Sequence, residues 1–283
     1  MNPTSTGVRS PRRWGRVQSP SYLTEPCCGQ PPGCGQPLPT QWRGRCESGC
    51  RRDDGGMVRR VVDALTDLVV PRLCGGCGRP GLNWCAQCAC LLADAPTAVQ
   101  TRVPLAVPVY AVGPYTGPRR RAILELKEHG RVDLAAPLGR ALADALRILD
   151  GWSELPMATR LVLIPAPTRK LSARRRGGDP VTAICRSAAA HLGSAVAVLP
   201  VLTTSPWARD SAGLSASARS ANLAGAIGIG GRGRREVATA RAGDTAVVLV
   251  DDVVTTGATA AESIRVLDRA GIGVHLVLVI AAV

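Results

Sequence analysis

The run from Val247 to Thr259, Val-Val-Leu-Val-Asp-Asp-Val-Val-Thr-Thr-Gly-Ala-Thr, constrains this chain more than any other stretch. Its four leading aliphatic residues leave no polar face, so they suit a strand covered on both sides, as in a parallel sheet. The run then delivers two adjacent carboxylates, Asp251 and Asp252, and a small-residue loop rich in hydroxyls. Ala260 to Ala270 reads as a helix with Gly271 as its stop. The loop thus lies between a strand end and a helix N-terminus, where unpaired backbone N–H groups and the helix dipole favour an anion. Thr255, Thr256 and Thr259 add hydroxyls, Gly257 permits close backbone approach, and Val253, Val254 and Ala258 complete the binding segment. A phosphate fits the loop, and a diol or a metal fits the acid pair. A molecule carrying phosphate and diol together is a ribose 5-phosphate. The plainer alternative is a buried strand ending in a solvated acidic turn.

Elsewhere, strand-like and helix-like segments alternate. Val107–Ala111, Leu161–Ile164, Ala195–Leu199, Thr245–Val250 and Val274–Ile280 read as strands. Pro118–His129, Asp133–Leu149 and Pro180–His191 read as helices. Continuous Val/Ile/Leu strands separated by helices predict an α/β fold with a parallel sheet flanked by helices. Ligands in such sheets bind at the carboxyl ends of strands, where both Pro165 and Asp251 fall. Hydrophobic residues are 46% of the 283, but aromatics are 3% and Phe is absent, so the core must rest on Val, Leu, Ala and Ile. No apolar run approaches the length of a membrane helix and no signal-peptide core opens the chain, so a cytoplasmic protein without membrane insertion is expected.

Three regions follow from composition. Residues 1–56 are rich in Pro, Gly and Arg with almost no apolar periodicity, a disorder composition. They read either as a disordered tail or as an extension ahead of a true start at Met57. Cys27, Cys28, Cys34, Cys46 and Cys50 lie there without regular metal spacing. Residues 57–100 comprise a short amphipathic helix, Met57 to Pro71, and a pair of C-x2-C knuckles. Residues 101–283 form the α/β domain. In the knuckles, Cys74, Cys77, Cys85 and Cys88 supply four thiolates, the tetrahedral set that Zn²⁺ prefers, and Gly75, Gly76, Gly78 and Gly81 permit the tight turns. Cys90 reads as a bystander and Cys185 as a buried thiol. His129, His191 and His275 are scattered, without metal-like neighbours.

The net charge of +14 suits phosphate-rich ligands or nucleic acid, or else a solvated Arg-rich surface. The basic loop after the Leu161 strand runs from Pro165-Ala166-Pro167 through Arg174, Arg175 and Arg176 to Asp179. Arg binds phosphate oxygens with paired hydrogen bonds, so this loop is a candidate pyrophosphate grip. Gly228 to Gly233 imitates a dinucleotide fingerprint, but the eleven residues between Gly233 and Thr245 barely hold a crossover helix, and the run reads as a flexible Gly-rich loop.

Val247–Thr259 resembles the phosphoribosyl-pyrophosphate signature of type I phosphoribosyltransferases. Together with the four knuckle cysteines, Tyr115-Thr116-Gly117 leading to Lys127, the Pro165–Asp179 loop, and Gly213-Leu214-Ser215 through Arg219 to Asn222, it resembles the ComF family over residues 57–283. One departure stands at Arg176-Gly177-Gly178-Asp179, where the family often has Arg-Gly-Phe-Asn; this leaves acceptor recognition unassigned. The resemblance implies a type I phosphoribosyltransferase-like fold with a small zinc knuckle and a link to competence, the handling of incoming single-stranded DNA. As an enzyme, the chain would bind Mg²⁺-phosphoribosyl pyrophosphate, with Asp251, Asp252 and Arg174–Arg176 in catalytic roles. Pro165, Ala166, Lys127 and residues 253–259 would bind substrate. As a binding module, it would hold the nucleotide only as a ligand while the knuckle and basic face bind single-stranded DNA or competence proteins. Few aromatics weaken the DNA idea; Trp84, Tyr110 and Tyr115 are the nearby stacking candidates. A homodimer is a further candidate partner.

Overall fold

A computed structural model describes residues 72–167, 179–204, 225–231 and 244–283. The expected tail, the Met57–Pro71 helix, Arg174–Arg176 and Gly213–Asn222 lie outside the described residues. In chain order the elements are α1 (Ala86–Leu92), β1 (Thr97–Ala98), β2 (Val109–Ala111), α2 (Gly117–Glu128), a 3₁₀ turn (Val132–Leu134), α3 (Ala135–Gly151), β3 (Arg160–Pro165), α4 (Pro180–Leu192), β4 (Val196–Val198), β5 (Leu202–Thr204), β6 (Ile227–Ile229), β7 (Thr245–Val254), α5 (Ala258–Arg269) and β8 (Leu276–Ala282).

Local chemistry explains several boundaries. α4 starts where the Asp179 carboxylate accepts from the Thr182 N–H at 3.1 Å and Pro180 presets the first turn. α2 likewise carries a proline, Pro118, in its first turn after an extended Thr116. β3, β7 and β8 are the aliphatic runs, and they are buried along nearly their whole length.

Six strands form one sheet in the order β1-β2-β8-β7-β3-β4. All pairings are parallel except that of β1 with β2 at one edge. β7 is central, in register with β3 from Thr245 opposite Arg160 to Val250 opposite Pro165. On its other side it pairs with β8 from Val248 opposite Leu276 to Val254 opposite Ala282. Strand alternation sends Ala246, Val248 and Val250 to one face, where they pack with Ile123 of α2, Leu138, Leu142 and Leu146 of α3, and Ile184 of α4. Val247 and Leu249 face the other way, against Ile264 and Leu267 of α5 and against Leu202 and Ile227 of the β5–β6 hairpin. Each fully buried Leu or Ile contributes about 2–3 kcal/mol in this way.

This arrangement fixes where a crevice can open. β3 runs through α4, on the first face, to β4 on its outer side. β7 runs through α5, on the second face, to β8 on the opposite side. The two connections diverge between β3 and β7, and the carboxyl ends of strands at such a switch point are where open α/β sheets hold ligands.

Three expectations are corrected. β7 does not end at Val250 but continues through both acids to Val254, because its pairing with β8 persists at Asp251, Val253 and Val254. α5 starts two residues earlier than expected, at Ala258. Gly228, expected in a flexible loop, lies inside β6, where Ile227 and Ile229 pair with Thr204 and Leu202. Cys185 lies in α4 and is fully buried, as expected. No described helix is long and apolar enough to cross a membrane.

Candidate functional site: an acid pair at the switch point and a four-cysteine knuckle

The Asp251–Asp252 pair lies at the switch point. Pro165 is the register partner of Val250, and the Ala166 N–H donates to the Val250 carbonyl at 2.7 Å, so the start of the basic loop is tied beside the acids. Asp252 is buried, and Lys127 in the last turn of α2 reaches it across the sheet face, with Nζ 2.6 Å from Oδ2. Asp251 turns Oδ1 toward the Asp252 backbone N–H at 2.8 Å. Burial pushes the Asp251 carboxyl up to about 8; the Asp252 charge adds to that, while the Asp252 N–H and Lys127 oppose it. For Lys127, burial pulls the ammonium down, but the Asp252 charge and hydrogen bond, with Asp251 behind them, hold it above its ordinary value. Two carboxylates therefore share one cation.

The Thr255–Thr259 loop follows at once. Gly257 has φ +86°, a left-handed conformation that suits glycine, and α5 begins on the next residue. The Ala258 N–H donates to Thr256 Oγ1 at 3.3 Å. The backbone N–H groups of Thr255, Thr256, Gly257 and Thr259 find no acceptor among the described residues. Donors left open at the N-terminus of a three-turn helix form an anion-binding arrangement. One neighbour of this loop has no sequence signal. Val103 donates its N–H to the Thr256 carbonyl at 2.9 Å, and Thr101 packs against Gly257 so closely that an added Cβ would lie 2.8 Å from the Thr101 Cβ.

The knuckle forms a second centre. The Sγ atoms of Cys74, Cys77, Cys85 and Cys88 all lie within 4.8 Å of one another. Cys74 and Cys88 are 3.7 Å apart, as are Cys77 and Cys85. A tetrahedron with Zn–S bonds of about 2.3 Å has edges of about 3.8 Å, so this set fits zinc. Cys85 occupies the N-cap position of α1 and Cys88 lies in its first turn, while the Gly78 N–H closes the first knuckle on the Cys74 carbonyl at 2.8 Å. Burial raises the Cys74 thiol, but backbone N–H groups of Cys77, Cys85 and Gly76 outweigh it and bring it to about 6, while burial and the neighbouring sulfurs push Cys88 up, so the cluster shares protons that a metal would displace. Cys90 is outside the cluster. Gly76 has no room for a side chain: a Cβ there would lie 2.6 Å from the Cys88 Sγ and 3.1 Å from Pro118.

The knuckle is docked, not tethered. Arg119 of α2, itself buried, pairs with Asp94 just after α1 at 2.8 Å. Arg131 donates to the Leu73 carbonyl at 3.0 Å, and Leu92 enters the first-face core. α2 thus lies between the knuckle and the sheet, with Lys127 reaching the acid pair. None of the three histidines joins a metal-like group; His275 Nδ1 accepts the Val247 N–H at 3.0 Å.

Sheet and site together define the class: a mostly parallel α/β protein with an acid pair at its switch point and a docked four-cysteine cluster able to hold zinc. No family model matches the chain. The DNA utilization protein YhgH of Salmonella typhi is 30% identical over 216 residues, which span 75% of this chain and 89% of that protein. The chain belongs to the family of that DNA utilization protein.

Proposed function

We propose that this chain is a ComF-type phosphoribosyltransferase that binds Mg²⁺-phosphoribosyl pyrophosphate across the carboxyl ends of β3 and β7 and transfers the phosphoribosyl group to an acceptor. The observation that supports it most is the acid pair followed by a loop of open backbone donors, both at the switch point. In this reading the Thr255–Thr259 loop takes the 5-phosphate. Asp251 and Asp252 accept from the ribose hydroxyls and favour the cationic sugar of the transition state, while Lys127 keeps the pair from carrying two uncompensated charges. Mg²⁺, when bound, neutralises the departing pyrophosphate. Arg174–Arg176, on the loop that leaves Pro165, are assigned to the pyrophosphate from sequence alone. The acceptor is a nucleophile that needs no strong general base.

Calorimetric titration with phosphoribosyl pyrophosphate and Mg²⁺ tests the reading. Binding should be Mg²⁺-dependent and lost in the double variant Asp251→Asn with Asp252→Asn; wild-type affinity in that variant would sink it. Pyrophosphate release with bases, amines or single-stranded DNA as acceptors tests catalysis.

A second reading is supported by the name of the relative, a DNA utilization protein, together with the charge of +14. Here the knuckle and basic face bind single-stranded DNA or a competence partner, and the site holds nucleotide without turnover. DNA binding that weakens steeply with salt, without pyrophosphate release, would select it.

A further inference from the structure

The segment before β2 makes contacts whose consequence falls on the Thr255–Thr259 loop. Val99 donates its N–H to the Val109 carbonyl at 2.8 Å, which ties the segment to the sheet edge. Thr101 Oγ1 donates to the Val103 carbonyl at 2.7 Å and closes a tight turn around Arg102. Val103 then donates its N–H to the Thr256 carbonyl at 2.9 Å. In a trans peptide the C=O and the following N–H point in opposite directions. A Thr256 carbonyl held on the strap therefore turns the Gly257 N–H away from it. Thr101 fills the space a Gly257 side chain would need, so loop and strap meet at their closest approach.

We infer that residues 101–103 form a positioning strap that aims the Gly257 amide at a bound phosphate, with the Thr101 hydroxyl as the group that holds the strap in shape. This rests on the proposed function, since it assigns the loop a phosphate monoester. Thr101 touches no substrate; it acts through Val103 and Thr256. Residues about 155 positions apart in the chain would then share one task.

The test uses three ligands and two variants of the full chain. Thr101→Val keeps the bulk against Gly257 and removes the hydroxyl, while Thr101→Ser restores the hydrogen bond. Thr101→Val should weaken ribose 5-phosphate and phosphoribosyl pyrophosphate about tenfold, the effect of one misaimed hydrogen bond. Inorganic pyrophosphate, which does not need the loop, should bind unchanged, and Thr101→Ser should stay within about twofold of wild type. A merely structural role would lower all three affinities together and would not be rescued by Ser. In the wild-type protein the Gly257 amide NMR resonance should move downfield on saturation with ribose 5-phosphate, which keeps the test independent of how the variants fold. If wild type binds both sugar phosphates but Thr101→Val binds them equally well, or the Gly257 amide stays put, the strap alone is overturned. If wild type binds neither, the proposed function fails and the strap with it.

Discussion

Lys127→Met probes the acid pair most directly. Met keeps most of the aliphatic stem and removes only the ammonium, so the change falls on charge more than on packing. At 2.6 Å, two unit charges attract by about 6 kcal/mol at an effective dielectric of about 20. Desolvation and side-chain ordering offset much of that, and breaking a fully buried pair costs about 3–5 kcal/mol. The Lys127 side chain is 30% exposed, so water screens what remains and the expected loss is about 2 kcal/mol near pH 8. The loss must depend on pH. Lys127 also holds the Asp251 carboxyl down, so in the variant Asp251 keeps its proton over a higher range than in wild type, and lowering the pH relieves the repulsion around the unpaired charge. Urea denaturation at pH 8 and pH 5.5 should show a deficit that falls by about half or more at the lower pH. Adding Asp252→Asn to the variant removes the orphaned carboxylate and should recover most of the stability. A deficit of equal size at both pH values, or no recovery in the double variant, would refute this account of the pair.

Other outcomes follow from the same geometry. Asp251 has a folded-state pKa raised to about 8 from an ordinary value near 3.8, so the folded chain holds a proton that the unfolded chain has lost. Its contribution is therefore greatest at low pH and is lost as pH rises from about 4 through about 8; Asp251→Asn should gain on wild type over that range, and a constant difference in urea midpoints would contradict it. The knuckle should hold about one Zn²⁺ per chain by metal analysis, lost with Cys74→Ser plus Cys77→Ser and weakened by Gly76→Ala, whose Cβ would press on the Cys88 sulfur at 2.6 Å; unchanged zinc in the double Cys variant would refute the assignment. Gly139 in α3 faces the backbone of α4, where a Cβ would lie 2.8 Å from the Ile184 carbonyl, so Gly139→Ala should cost about 1–3 kcal/mol in thermal or urea unfolding despite the better helix propensity of Ala; equal or higher stability would be the contrary result.

What the sequence disclosed depended on whether the signal was local. Leu161–Ile164 and Thr245–Val250 are legible as strands because burial on both faces leaves uninterrupted aliphatic runs. The continuation of β7 to Val254 is not, since Asp251 and Asp252 interrupt the run while pairing with β8 carries the backbone on. The knuckle is legible because gathering four sulfurs within 4.8 Å of one another needs the C-x2-C spacing. α1 is masked by that same spacing, with Cys85 occupying the cap position where a Ser or Asp would announce a helix. β1, β5 and β6 are two- or three-residue strands, too short for a period to register. Lys127 and Asp252 could each be picked out as site residues, but not their pairing across 125 positions. The Thr101–Val103 contact with the loop leaves no trace in either segment, because its key bond joins two backbones.

The position of β8 bears on how the chain is made. This strand, the final one in the sequence, lies inside the sheet between β2 and β7 and is buried along nearly its whole length. Its register partner Val109 precedes Val277 by 168 positions. A growing chain thus completes its knuckle and much of its first helical layer before the strand that joins the two halves of the sheet exists. Until then β2 has only the two-residue β1 beside it, and the aliphatic edge of β7 stands open. Closure across so long a loop is slow, and an open apolar edge is a template for the wrong partner. Without β8 the β7 edge therefore stays open to other strands. Trimming residues 276–283 should leave an aggregating remnant rather than a smaller domain.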